Sequence, residues 1–262
     1  MESATDTSAA LAALHWQIEL GAVDAICDAP VNRYDLPSEA PARPKTASPP
    51  AETAAPHIAR PTDPVAEARH LAQAAPDLPA LRDALAAYEH CELKRGARNL
   101  VFADGTPGAR VLILGEAPGR DEDREGKPFV GRAGQLLDRM LAAIGLDRHS
   151  HDLARAAYIT NVLPWRPPQN RDPKPEEIAM MLPFVQRHVA LAAPDFVILM
   201  GNISCQAALG KRGILRLRGQ WETAFDRPAL PMTHPAYLLR TPMAKREAWA
   251  DLLSLKSRME TP

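Results

Sequence analysis

Val111-Leu112-Ile113-Leu114 is an unbroken run of branched apolar residues, the pattern of a strand buried on both faces. Gly115-Glu116-Ala117-Pro118-Gly119 ends it abruptly and leads into an acidic segment, Asp121-Glu122-Asp123. The same alternation recurs downstream. Residues 133–144 carry helical spacing closed by Gly145, and 157–162 read as a second strand. Residues 175–191 read as a helix that Pro183 should kink or split. A third strand is expected over 196–200, a helix over 203–209 closed by Gly210, a short strand over 229–232, and a final helix over 245–259. Strands alternating with helices predict an α/β fold, a three-layer α/β/α sandwich around a central parallel sheet. Each polar motif then falls at the carboxyl end of a strand, where such sheets bind ligands.

The chain before this region reads differently. Residues 8–26 place Leu11, Leu14 and Ile18 at helical spacing behind the cap candidate Ser8. Residues 30–64 are rich in Pro, Ala, Ser and Thr and cannot bury enough apolar area to offset ordering, so a disordered linker is expected. Helical composition returns between Asp63 and Tyr88 as a pair of short helices, the second starting near Asp77. The expected organisation is an N-terminal helical segment (1–29), a linker (30–64) and one α/β domain (65–262).

Bulk properties change this picture little. The 262 residues, 46% hydrophobic, suffice for a sizeable core, and many of the 26 prolines fall in the arm. A formal net charge of -1 gives no overall field for a polyanion, while leaving room for a local basic rim. Cys27, Cys91 and Cys205 form no CxxC pair, which excludes a disulfide scaffold and a four-thiolate zinc site and fits a reducing compartment. The first residues lack the basic region and apolar run of an export signal, and no stretch reaches the length of a membrane span. A cytoplasmic protein is expected.

Five segments carry candidate chemistry: Gly115 to Gly119; Gly126-Lys127-Pro128-Phe129-Val130-Gly131-Arg132-Ala133-Gly134-Gln135; Tyr158-Ile159-Thr160-Asn161; Arg166-Pro167-Pro168-Gln169-Asn170-Arg171; and His234-Pro235-Ala236-Tyr237-Leu238-Leu239-Arg240. In order and character they resemble the family 4 uracil-DNA glycosylases, over roughly 91–255. The resemblance implies an enzyme that flips deoxyuridine out of uracil-containing DNA and hydrolyses its N-glycosidic bond, starting base excision repair without cutting a strand. Breaking that bond leaves negative charge on the departing uracil, so a donor aimed at a uracil oxygen stabilises the transition state, and His234 matches that donor. Asn161 matches the side chain that reads the Watson–Crick edge, since a carboxamide both donates and accepts. Phe129 matches the aromatic on which the base stacks.

Glu116 and Glu122 match the carboxylates of the first motif, for stabilising the sugar cation, orienting water or policing the uracil C5 position; their division of labour stays open. Asp121 and Asp123 read instead as a solvated helix start. Ala117 stands where backbone must approach the base, which alanine allows if its φ is negative. Asn170 matches a loop near the site. Leu238, Leu239 and Arg240 match a segment that wedges into the space vacated by the flipped nucleotide and meets phosphates.

The chain departs from the family at one set of positions. Most members hold a four-iron cluster on four cysteines, and the matching positions here are Tyr88, Cys91, Trp165 and Met181. A [4Fe–4S] cluster needs thiolates, so no cluster, no metal and no other cofactor is expected, with apolar packing filling the vacated volume. The expectation is a monomeric glycosylase with uracil-containing DNA as its partner and no membrane. The alternatives are a glycosylase for another deaminated base and a noncatalytic DNA- or protein-binding relative. A nucleotide-binding module is the weaker reading, because the first turn has no P-loop lysine and no Gly-x-Gly-x-x-Gly fingerprint.

Overall fold

The computed structural model describes residues 11–12, 14–17 and 63–261. The chain divides into two compact units, Met1–His57 and Ile58–Pro262. In the first, 11–12 and 14–17 are helical, with Leu11, Leu14 and Trp16 exposed. The remainder of the helix expected over 8–26, Cys27 and most of the expected linker lie outside the described residues.

The second unit opens with α1 (Pro64–Ala74) and α2 (Leu78–Ala87). Both begin with an aspartate whose carboxylate accepts a backbone N–H of the first turn and a proline just inside, the arrangement that satisfies a helix start. A short helix, α3 (Leu93–Gly96), follows. The sheet contains β1 (Ala103–Gly105), β2 (Val111–Gly115), β3 (Ala157–Asn161), β4 (Phe196–Met200), β5 (Glu222–Ala224) and β6 (Arg227–Met232), in the order β1-β3-β2-β4-β6-β5. The inner four strands, β3-β2-β4-β6, are parallel, as expected. The sheet as a whole is mixed, because β1 and β5 pair antiparallel at its two edges. Each is only three residues long and not fully buried, so neither carries the continuous apolar run that marks the inner strands.

Side-chain alternation assigns the two faces. Leu112, Leu114, Val197 and Leu199 pack on one side against α6 (Pro175–Ala192) and α7 (Asn202–Leu209) through Ile178, Val185, Val189 and Ile203. Val111, Ile113, Ile159, Ile198 and Leu230 pack on the other against α5 (Arg132–Ala143) and α10 (Lys245–Glu260) through Leu137, Leu141, Leu252 and Leu255. This is the three-layer sandwich that the pattern predicted. Between these lie α4 (Arg120–Glu125), α8 (Ile214–Leu217) and α9 (Pro235–Arg240).

Of the two outcomes expected at Pro183, a kink or a split, the split does not occur: α6 runs unbroken for 18 residues. The backbone bond that proline removes is offset by burial on both sides of it, with Met181, Phe184, Val185 and Val189 all buried.

Candidate active site

The chain leaves β2 and reaches β3 on one side of it, then crosses to β4 on the other, so the carboxyl ends of β2 and β4 flank a switch point of the sheet. A cavity of about 700 Å³ opens there. Its wall comes from the segments after four parallel strands: Glu116 to Gly119 after β2, Asn170 to Asp172 after β3, Gly201 and Asn202 after β4, and Thr233 and His234 after β6. Glu116, Ala117, Glu122, Phe129, Asn170, His234 and Arg240 all line it, so seven expected residues from distant motifs share one hollow.

His234 caps α9. Its Nδ1 accepts the N–H of Ala236 at 3.1 Å. Burial, assisted by the Arg240 charge, pushes its pKa down to about 4, so the ring is neutral at physiological pH. With Nδ1 accepting, the single proton sits on Nε2, which makes His234 a neutral donor. The Phe129 ring stacks on it, centroids 5.4 Å apart.

Asn161 is the last residue of β3, paired in register with Gly115. It is buried and lies just outside the cavity wall, with its carboxamide against Gly115 beside the Phe129 ring. A Cβ on Gly115 would meet Asn161 Oδ1 at 2.3 Å and the Phe129 ring at 2.5 Å, so only glycine lets the two side chains converge there. Among the described residues, Asn161 Oδ1 and Thr233 Oγ1 are the buried side-chain polar atoms without a hydrogen-bond partner. Buried polar atoms are ordinarily satisfied, and these two both sit at this site.

Glu116 has its pKa raised to about 7, first by burial and then by Asp172 across the cavity, with Arg212 opposing. Ala117 is absent from the residues with positive φ, the condition under which alanine serves. Asn170 adopts φ +53 and its carboxamide oxygen accepts from Arg166 Nε at 2.8 Å, while Arg171 is bound by the carboxylate of Glu177.

Three expectations need correction. Glu122 does not offer a free carboxylate: Oε2 accepts Gly119 N–H at 3.1 Å, and Oε1 accepts Val130 N–H at 3.1 Å and Gly131 N–H at 2.9 Å. It ties the first motif to the Phe129 segment. Asp123 is not solvated; it is buried and accepts the backbone N–H groups of Arg98 and Asn99. In the wedge segment, Leu238 is 1% exposed and packs on Leu136, Ala244 and Ala248. Leu239 faces a separate apolar hollow with Met140 and Trp249. The six-residue α9 turns these leucines onto α5, and of the three only Arg240 reaches the cavity. Large apolar side chains left in the open include Met243, 86% exposed, and Leu215, 62% exposed and part of the cavity wall.

Sequence inspection missed Asp172, Arg212 and Thr233 in the cavity wall. Thr233 adjoins His234 and Asp172 follows the Asn170-Arg171 pair, so adjacency was the available signal; Arg212 lies in a polar loop with none.

A cavity at a sheet switch point that holds a neutral imidazole, a stacking aromatic and an elevated carboxyl, with a buried amide beside it, has the groups a base-excising hydrolase needs. Residues 102–253 match the family described as UDG, the uracil DNA glycosylase superfamily, and the chain belongs to it. Among its relatives are proteins named Type-4 uracil-DNA glycosylase. That of Sulfurisphaera tokodaii is 32% identical over 192 residues, 70% of this chain and 84% of the relative. That of Archaeoglobus fulgidus is 37% identical over 172 residues, 62% and 82%, and that of Saccharolobus solfataricus 32% over 195 residues, 71% and 88%.

The four positions at which the resemblance implies cluster ligands do converge. Tyr88, Cys91, Trp165 and Met181 are all at most 2% exposed and share one apolar cluster with Leu81, Leu163 and Phe184. Tyr88 donates to the carbonyl of Pro64 at 2.8 Å and packs edge-on against Phe184. Burial pushes the Cys91 thiol up, away from the thiolate a metal requires. One protonated thiol among two aromatics and a thioether does not fit a four-iron cluster.

Proposed function

We propose that this chain is a uracil-DNA glycosylase whose cavity at the switch point receives an extruded deoxyuridine. One observation carries the assignment of the pocket: the orphaned Oδ1 of Asn161, buried beside the stacking ring of Phe129. Uracil N3–H satisfies that oxygen, whereas cytosine N3 has no hydrogen and leaves it unpaired, at a desolvation cost of about 1–3 kcal/mol. The Asn161 amide group then donates to the neighbouring carbonyl of the base. Phe129 stacks on the base face, and His234 Nε2–H donates to the uracil oxygen that gains charge as the glycosidic bond breaks. Because His234 is neutral, it stabilises the uracil anion without first giving up a proton of its own to solvent.

Glu116, in its ionised form, faces the positive charge that develops on the sugar and orients the attacking water. Glu122 acts through the backbone: it positions the first motif and the Phe129 segment. Arg212 and Arg240 at the rim supply charge for phosphates on either side of the flipped nucleotide. The donor set at 88, 91, 165 and 181 supports an enzyme that works without an iron–sulfur cluster. A monomer is proposed because one chain supplies every residue of the cavity wall. A cytoplasmic location is proposed because the substrate is DNA and Cys91 and Cys205 are free thiols; among the described residues no helix is long and apolar enough to cross a membrane.

The test is uracil release from single- and double-stranded oligonucleotides containing one deoxyuridine, scored as abasic sites. Abasic sites are expected from uracil and none from cytosine or thymine. Retained DNA binding without product would establish the noncatalytic alternative instead.

A further inference from the structure

Arg148 belongs to none of the motifs that led to the site, and it lines no wall of the cavity. It stands between α5 and β3 with its side chain 3% exposed. Its guanidinium is fully committed: Nε donates to Asp138 at 2.7 Å, one terminal nitrogen to Asp104 at 3.3 Å and to the carbonyl of Pro128 at 3.0 Å, the other to the carbonyl of Phe129 at 3.1 Å. Burying a cation is costly unless it is paired and its donors are used, and the two carboxylates meet that condition. A buried fork aimed at two consecutive carbonyls fixes the two peptide planes that flank the residue between them, here Phe129.

The backbone conformation held there is an unusual one. Phe129 has φ +54, a conformation that bulky side chains rarely adopt and that persists only where the surroundings impose it. Three neighbours impose it here. Arg148 holds the carbonyls of Pro128 and Phe129; Glu122 holds the N–H groups of Val130 and Gly131. Gly134 closes the third side, since a Cβ there would stand 1.7 Å from the Phe129 carbonyl oxygen. The twisted backbone turns the ring of Phe129 against His234.

We propose that Arg148, fixed by Asp138 and Asp104, is a positioning residue for uracil recognition: it locks the left-handed backbone of Phe129 so that the ring is held ready to stack on the extruded base. The proposal rests on the glycosylase reading above. It separates Arg148 from an ordinary buried ion pair, whose removal lowers stability without regard to what the Phe129 side chain is.

A double-mutant cycle tests it. Arg148→Met should lower kcat/KM for a uracil oligonucleotide by about tenfold to a hundredfold, as misplacement of a recognition group does. In a Phe129→Ala background the same change should cost less than about threefold, because the ring it positions is gone. Arg148→Lys, which keeps the charge but not the fork, should behave like Arg148→Met and provides the folded variant if the methionine protein is unstable. Equal losses in both backgrounds overturn the proposal, as does an undiminished rate in either Arg148 variant. Amide hydrogen exchange gives a readout independent of turnover: exchange at Val130 and Gly131 should accelerate in Arg148→Lys while the amides of β2 and β4 stay protected. Unchanged exchange at those two amides overturns the proposal, while a wild type that releases no uracil counts against the glycosylase reading and leaves the exchange result to decide on Arg148.

Discussion

Two side chains of the site should be told apart by pH. His234, with its pKa near 4, stays neutral across the working range and contributes no titration to it. Glu116, raised to about 7, must lose its proton to face the sugar cation, so turnover should rise as pH increases through about 7 and level off above it. Glu116→Gln should be slow at every pH and lack that limb; a wild-type profile flat from pH 5 to 9 would remove Glu116 from the chemistry. The same shift has a cost in stability. A carboxyl whose folded pKa exceeds its unfolded value binds its proton more tightly when folded, so stability falls as pH rises from about 4.5 to about 7. Glu116→Gln should therefore be more stable than wild type at pH 8, by roughly 1–3 kcal/mol in a denaturant titration, and no more stable at pH 4. Replacing the two groups that meet the base is more damaging. His234→Ala and Asn161→Ala should each lose about 10²–10³ in kcat, as loss of a transition-state donor does in other enzymes. The Asn161 variant should also lose preference for uracil over cytosine, measured as the ratio of abasic sites formed.

The elements of this fold were legible where burial is complete and obscure where it is not. β2 and β4 announce themselves because both faces are covered and every position is apolar. β1 and β5, short edge strands with partly exposed residues, carry no such run, and pairing with β3 and β6 alone makes them strands. The split expected at Pro183 does not occur because propensity is local, whereas the packing that overrides it comes from residues the helix meets in the tertiary structure. At the site, His234, Phe129 and Glu116 were legible from their motifs. The work of Glu122 was not, since a carboxylate that binds backbone N–H groups eight and nine residues along the chain looks, in sequence, like any acidic helix start. Leu238 was misread for a related reason: which way a six-residue helix faces is settled by its neighbours. Close approach of backbones gives a further test at this scale. Gly134→Ala, at the start of α5, would force its methyl into the Phe129 carbonyl and should destabilise the protein by about 2–4 kcal/mol, read as a fall in melting temperature.

For the molecule as a whole, the cavity wall is drawn, among the described residues, from 116–240. Removing residues 1–57 should leave uracil release within about twofold of the full chain, since among the described residues the sheet and the cavity wall are built from 103–240. Loss of activity on truncation would make the arm part of the machinery. The cluster around Tyr88, Cys91, Trp165 and Met181 joins α1 and α2 to α6 by carbon-to-carbon packing. Protein purified without oxygen should be colourless and free of iron; a brown preparation would overturn that account. A colourless preparation would mean a repair enzyme that asks nothing of the cell's iron–sulfur assembly machinery and offers peroxide no cluster to dismantle. Its capacity to clear deaminated cytosine would hold steady through iron starvation and oxidative attack, the conditions in which enzymes that carry clusters fail first.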